Sequence, residues 1–128
     1  MIARPAKFVM FLIGGLAAAA GSVQNLHAQS ETKPAYLVAE VEVTDPAAFQ
    51  AYQKKAAETL KPYNIRVLAN AKPDVKDGAA AQGNIIVLRF NSMEDAQKWH
   101  GSPSYQELIP ERQKAAKMRL YLVEGMPQ

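Results

Sequence analysis

NIIVLRFNSMEDAQKWHGSPSY, residues 84–105, decides the fold, because a buried strand, a capped helix and the start of a second helix follow one another in it directly. Residues 85–90 are a short β-branched apolar run broken only by Arg89, the pattern of a central strand covered on both faces. Asn91 and Ser92 supply N-cap oxygens, and Glu94 and Asp95 place acids in the first turn, where they complement exposed N–H groups. Met93, Ala96 and Trp99 follow at helical spacing and make one face of the helix apolar. Gly101 ends this helix. Ser102 and Pro103 restart the chain as N-cap and first helical residue, so Trp99, His100 and Tyr105 meet at a corner.

Upstream, residues 36–43 alternate Leu37, Ala39, Val41 and Val43 against Tyr36, Val38, Glu40 and Glu42, as a strand with one core face does. Asp45 and Pro46 open a helix whose buried stripe is Phe49, Tyr52, Ala56 and Leu60, with Tyr63 near its end. A second strand, residues 65–70, sets Ile65, Val67 and Ala69 against Arg66, Leu68 and Asn70. Residues 71–83 show neither period and read as a loop, an insertion rather than a lid. Downstream, Tyr105, Leu108, Ile109, Arg112 and Ala115 or Ala116 share a helical face that Pro110 bends or splits, and residues 119–124 form the last strand. The order predicts an α+β protein with the ferredoxin-like βαββαβ arrangement, one antiparallel sheet with helices on one face.

The 128 residues hold one domain at most. Residues 1–28 read as a secretory signal peptide: Arg4 and Lys7, then an apolar run over 8–20, then small and polar residues ending at Ala28. That run falls short of the roughly 20 residues a membrane-spanning helix needs. The expected organisation is thus a signal peptide 1–28, a flexible lead-in 29–35, a ferredoxin-like domain 36–125 and a tail 126–128. The expected location is periplasmic or secreted, with no membrane partner after cleavage. Removing Arg4 and Lys7 takes Lys+Arg from 15 to 13 against 12 Asp+Glu, so the net charge falls from +3 to +1. No basic cluster with interleaved aromatics remains, which sets nucleic acid aside. Without cysteine the domain rests on its core, and pairing with a second copy would bury more surface. With His100 as the one imidazole beyond residue 28 and Glu40 and Glu42 lacking a third ligand, no metal and no cofactor are expected.

If the apolar strand faces meet the helices, the other face carries Tyr36, Val38, Glu40, Glu42, Val87 and Arg89, joined by Arg66 and by Leu120 or Tyr121. That face is too apolar to stay wet and too polar for a plain core. Two copies stacking it would enclose a barrel lumen, a place for a small, partly apolar or anionic molecule. The ligand-binding candidates are Tyr36, Arg66, Arg89, Trp99, Tyr105 and Arg112. Arg66 and Arg89 would either receive a carboxylate or neutralise Glu40 and Glu42 across strands. Glu40 and His100 are the catalytic candidates, as acid or base beside an arginine that stabilises a developing anion. The plainer readings are a His100 whose charge suits a helix C-terminus, Ser102 as a cap, Trp99 and Tyr105 as packing, and Arg112 bonded to backbone carbonyls at the corner. A pocket of at least ~300 Å³ would favour a ligand, and a solid lumen a non-catalytic structural or stress-associated dimer.

The combination of Asp45-Pro46, Tyr52, Phe90 with Ser92, Ser102-Pro103 with Tyr105, and Arg112 resembles the bacterial family called domain of unknown function 1330, over nearly all of residues 35–125. The resemblance implies a dimeric α/β barrel of ferredoxin-like protomers, in a superfamily that also holds cofactor-free monooxygenases and haem-degrading enzymes. The chain departs from the family pattern at Asn70-Ala71-Lys72 and Lys76-Asp77-Gly78, in place of a Gly- and Arg-containing strand end and a Glu-Gly turn. His100 stands where an aromatic is common.

Overall fold

Alternating side chains make strand β1 (Ala35–Val43) two-faced, with Leu37, Ala39 and Val41 buried and the residues between them half-buried. The structure is a computed structural model that describes residues 32–128; the expected signal peptide lies outside the described residues. After β1 come α1 (Pro46–Leu60), β2 (Arg66–Ala71), β3 (Asn84–Phe90), α2 (Met93–Gly101), α3 (Pro103–Gln106), α4 (Ile109–Ala115) and β4 (Ala116–Glu124). The strands form one antiparallel sheet in the order β2-β3-β1-β4.

The helices begin where cap chemistry places them. Asp45 accepts the Ala48 N–H at 3.1 Å, Ser92 that of Asp95 at 3.1 Å and Ser102 that of Tyr105 at 3.3 Å. Ser102 also donates to the Trp99 carbonyl at 2.7 Å, so its hydroxyl is occupied in holding the corner. Pro110 sits in the first turn of α4, and the segment after Gly101 is accordingly two short pieces rather than one helix. The core lies between the helices and one sheet face, where Phe90 is fully buried against Trp99 at a ring separation of 5.7 Å.

Two features depart from simple alternation. Strand β4 starts at Ala116 rather than at residue 119, because Ala116, Lys117 and Met118 pair with Val43, Glu42 and Val41 and extend the ladder. In β2 a bulge lies between Val67 and Ala69, so Ala69 opposes Val87 and Asn70 opposes Ile86. Past the bulge the strand's faces are exchanged, and Asn70 joins the helix side instead of sharing a face with Arg66. Residues 72–83 form a loop without strand or helix that returns to β1 at Gly83. Gly83 has φ +87°, and a Cβ there would lie 1.9 Å from the Val41 carbonyl oxygen, so only glycine permits this approach.

Candidate functional site

On the open side of the sheet, Tyr36 lies opposite Arg89, and Arg89 opposite Arg66. Val38 lies between Val87 and Tyr121, which places Tyr121 on this face, while Leu120 opposes Ala39 on the helix side. Glu40 faces Arg119, which donates to it at 2.6 Å, and its other oxygen accepts the Gln82 N–H at 2.8 Å. The expected partners Arg66 and Arg89 are thus replaced by Arg119, a residue the shorter β4 had left at the strand's first position. The Gln82 N–H first, and the Arg119 guanidinium with it, hold Glu40 below the usual carboxylate range against the opposing effect of burial. Among the described residues no carboxylate pairs with Arg66 or Arg89. Two like charges directly opposed across strands repel, so this pair is unfavourable in the chain by itself.

On the helix side a cavity of about 190 Å³ separates α1 from the sheet. Leu37, Ala39, Ile86 and Leu88 form its floor, Phe49, Tyr52, Ala56 and Leu60 its roof, and Trp99 and Tyr105 also line it. Its wall is almost wholly apolar. Its buried polar atoms have partners: Trp99 Nε1 donates to Thr59 Oγ1 at 2.9 Å, and the hydroxyls of Tyr52 and Tyr105 lie 2.8 Å apart, while the amides of Gln53 and Asn70 lie at exposed positions. Arg112 Nη1 donates to the Tyr105 hydroxyl at 2.9 Å, while Arg112 Nε is buried without a partner among the described residues. The guanidinium therefore serves Tyr105 rather than backbone carbonyls. Burial, then the adjoining Tyr105, pushes the Tyr52 phenol well up, so it stays protonated.

His100 stands beside this group, its ring 6.1 Å from Trp99 and 5.5 Å from Tyr105. Burial first, and the Arg112 charge second, lower its pKa from 6.5, and the ring is neutral near pH 7. His100 lies in the last turn of α2, where the sequence reading placed it, and burial and the neighbouring cation favour its neutral form there.

The candidate residues fall into two groups. Tyr36, Glu40, Arg66 and Arg89 lie on the open side, and Trp99, His100, Tyr105 and Arg112 on the helix side, with the sheet between. The single pocket expected from all of them does not form within one chain. A second hollow of about 260 Å³, lined mostly by charged residues, lies along Glu40, Glu42, Gln82, Lys117, Met118 and Arg119, so neither hollow reaches ~300 Å³. Sequence reasoning assigned Tyr52 to the core stripe only; the available signal was a phenol at a core position, which needs a hydrogen-bond partner when buried. Among the described residues no group of three or more His, Cys, Asp or Glu could hold a metal ion.

A four-stranded antiparallel sheet ordered β2-β3-β1-β4, with helices against one face, defines an α+β protein of the ferredoxin-like class. Within that class the chain belongs to the family described as Domain of unknown function (DUF1330), whose model matches residues 34–126. A protein of unknown function from Rhodopseudomonas palustris shares the fold at a TM-score of 0.59 and 15% identity, covering 80% of this chain and 90% of its own. Its methylated form gives 0.60 at 15% identity, covering 83% and 90%. A conserved protein of unknown function from Bacteroides thetaiotaomicron, called a possible oxidoreductase, is more distant at a TM-score of 0.47 and 13% identity, covering 74% of this chain and 98% of its own. No curated protein matches the sequence.

Proposed function

We propose that this chain binds a compact, largely apolar molecule between α1 and the sheet, and acts as an exported homodimer joined through its open sheet faces. The observation that carries the ligand reading is the 190 Å³ cavity with its apolar wall. An apolar cavity of roughly 150 Å³ is enough to hold benzene, so a molecule of that size or slightly larger fits. This moves the ligand from the barrel lumen, where alternation alone had put it, to the other side of the sheet. The dimer reading is supported by Tyr121 and Val123, exposed by 53% and 49% beside the half-buried Val38 and Val87. Export is supported by the leader-like residues 1–28. No acid–base step is assigned, since Glu40 is held by Arg119 and Gln82 and lies across the sheet from His100.

Native mass spectrometry of protein taken from the periplasm of its own bacterium tests all three parts. The expected species is a dimer of chains beginning at Gln29 that carries a reproducible small extra mass. A clean dimer would remove the ligand, a monomer the interface, and a chain beginning at Met1 the export.

A further inference from the structure

Besides the exposed amides of Gln53 and Asn70, the cavity has a buried polar end, and the hydrogen bonds behind it have a direction. Arg112 Nη1 can only donate, so one lone pair of the Tyr105 oxygen is taken. The Tyr105 proton must then go to Tyr52 or to nothing, because Tyr105 is fully buried and its hydroxyl has no third partner among the described residues. The guanidinium acts on both phenols, but its 2.9 Å hydrogen bond is to the Tyr105 oxygen, which it polarises more and makes the better donor of the two. Tyr105 therefore donates to Tyr52. The Tyr52 proton is left without a protein acceptor, on a side chain that lines the cavity.

We infer that the molecule held here is neutral and carries a hydrogen-bond acceptor, a carbonyl or ether oxygen on an otherwise apolar body, and that Tyr52 donates to it at the end of the chain Arg112, Tyr105, Tyr52. The inference rests on the cavity being the binding site. An acceptor satisfies the donor that the chain leaves open on the cavity side, Arg112 Nε being a second one away from it, and an unsatisfied buried donor is costly. A carboxylate is excluded from the same place, because Arg112 does not line the cavity and a lone charge among leucines and aromatics is strongly disfavoured. The Tyr52 phenol is held protonated by burial, which keeps it a donor throughout the physiological range. Tyr105 and Arg112 are positioning residues: they set the direction in which Tyr52 points its proton.

A matched pair of probes isolates the acceptor. Acetophenone and α-methylstyrene have nearly the same shape and differ in a carbonyl oxygen against a methylene carbon. By titration calorimetry, acetophenone is expected to bind the wild-type protein about 5- to 10-fold more tightly, the worth of one net hydrogen bond. Tyr52→Phe should bring the ratio close to one, and benzoate should bind the wild-type protein more weakly than either. Arg112→Met should reduce the ratio part of the way, an effect on selectivity that loosened packing alone would not produce. Equal binding of the two probes by wild type would overturn the inference and leave the cavity as a binding site. Binding of neither would remove the cavity reading and the inference with it. A ratio that survives Tyr52→Phe would overturn the role given to Tyr52.

Discussion

On its helix side the sheet meets Phe49, Tyr52, Trp99 and Tyr105, and the polar atoms there are tied to one another in a buried chain. On its open side it carries Glu40, Arg66, Arg89 and Arg119 among valines and tyrosines, with one ion pair formed and two guanidiniums unpaired among the described residues. Where water is excluded, every hydroxyl must have a partner, so a misplaced polar group is costly and the arrangement is specific. Where water remains, charges can be mispaired at little cost, and the same residue types say less about function. Tyr52 and Tyr121 make the contrast plain: one phenol is bonded in the core, the other half-exposed without a side-chain partner among the described residues.

The largest difference between the two sides should appear on truncation. Phe90→Ala, which empties a fully buried site between Tyr63 and Trp99, is expected to cost about 3 to 5 kcal/mol in urea denaturation. Val123→Ala on the open side of a dilute, monomeric sample should stay within about 0.5 kcal/mol. Comparable costs would show that the open side is as tightly packed as the core, and the contrast would be lost.

A sharper version deletes single polar atoms. Tyr105→Phe removes the acceptor of Arg112 and the partner of Tyr52 together, and a loss of about 1 to 3 kcal/mol is expected. Arg119→Met, which breaks the ion pair with Glu40, should change the melting temperature little and only at low salt. A neutral Tyr105→Phe would mean that the buried chain is incidental.

The smallest effect is a pH dependence. The His100 pKa is lowered in the folded chain from an ordinary value of 6.5, by burial and by Arg112. Between the folded value and 6.5 the unfolded chain binds the extra proton, so stability falls as pH drops through that window. His100→Gln lacks this term, and the wild-type protein should therefore lose stability relative to the variant on acidification from about pH 7.5 to 5. Parallel pH profiles for the two would place His100 in water and out of reach of Arg112.

What was legible in the sequence was local. The faces of β1 and β3, the caps Asp45, Ser92 and Ser102, and the break at Pro110 follow from residues within one turn or one alternation. These were enough to reach the ferredoxin-like order. The bulge in β2 was not legible, because it shows itself only as a shift of register against β3. Nor was the pairing of Glu40 with Arg119, which needed β4 to be extended by three residues before its register against β1 could be seen. The polar end of the cavity was hidden for a similar reason. Tyr52 and Tyr105 each sit at core spacing in their own helix, and only the fold brings hydroxyls 53 residues apart in sequence to 2.8 Å.

The central claim is that the small molecule lies on the helix side of the sheet. Methyl-resolved NMR spectra of the protein titrated with acetophenone test it most directly, since Leu37, Leu60 and Leu88 mark one side and Val38, Val87 and Val123 the other. Shifts are expected for the methyl groups of Leu37, Leu60 and Leu88, which line the cavity. Shifts confined to Val38, Val87 and Val123, on the open side, would contradict the account and return the ligand to the space between two sheets.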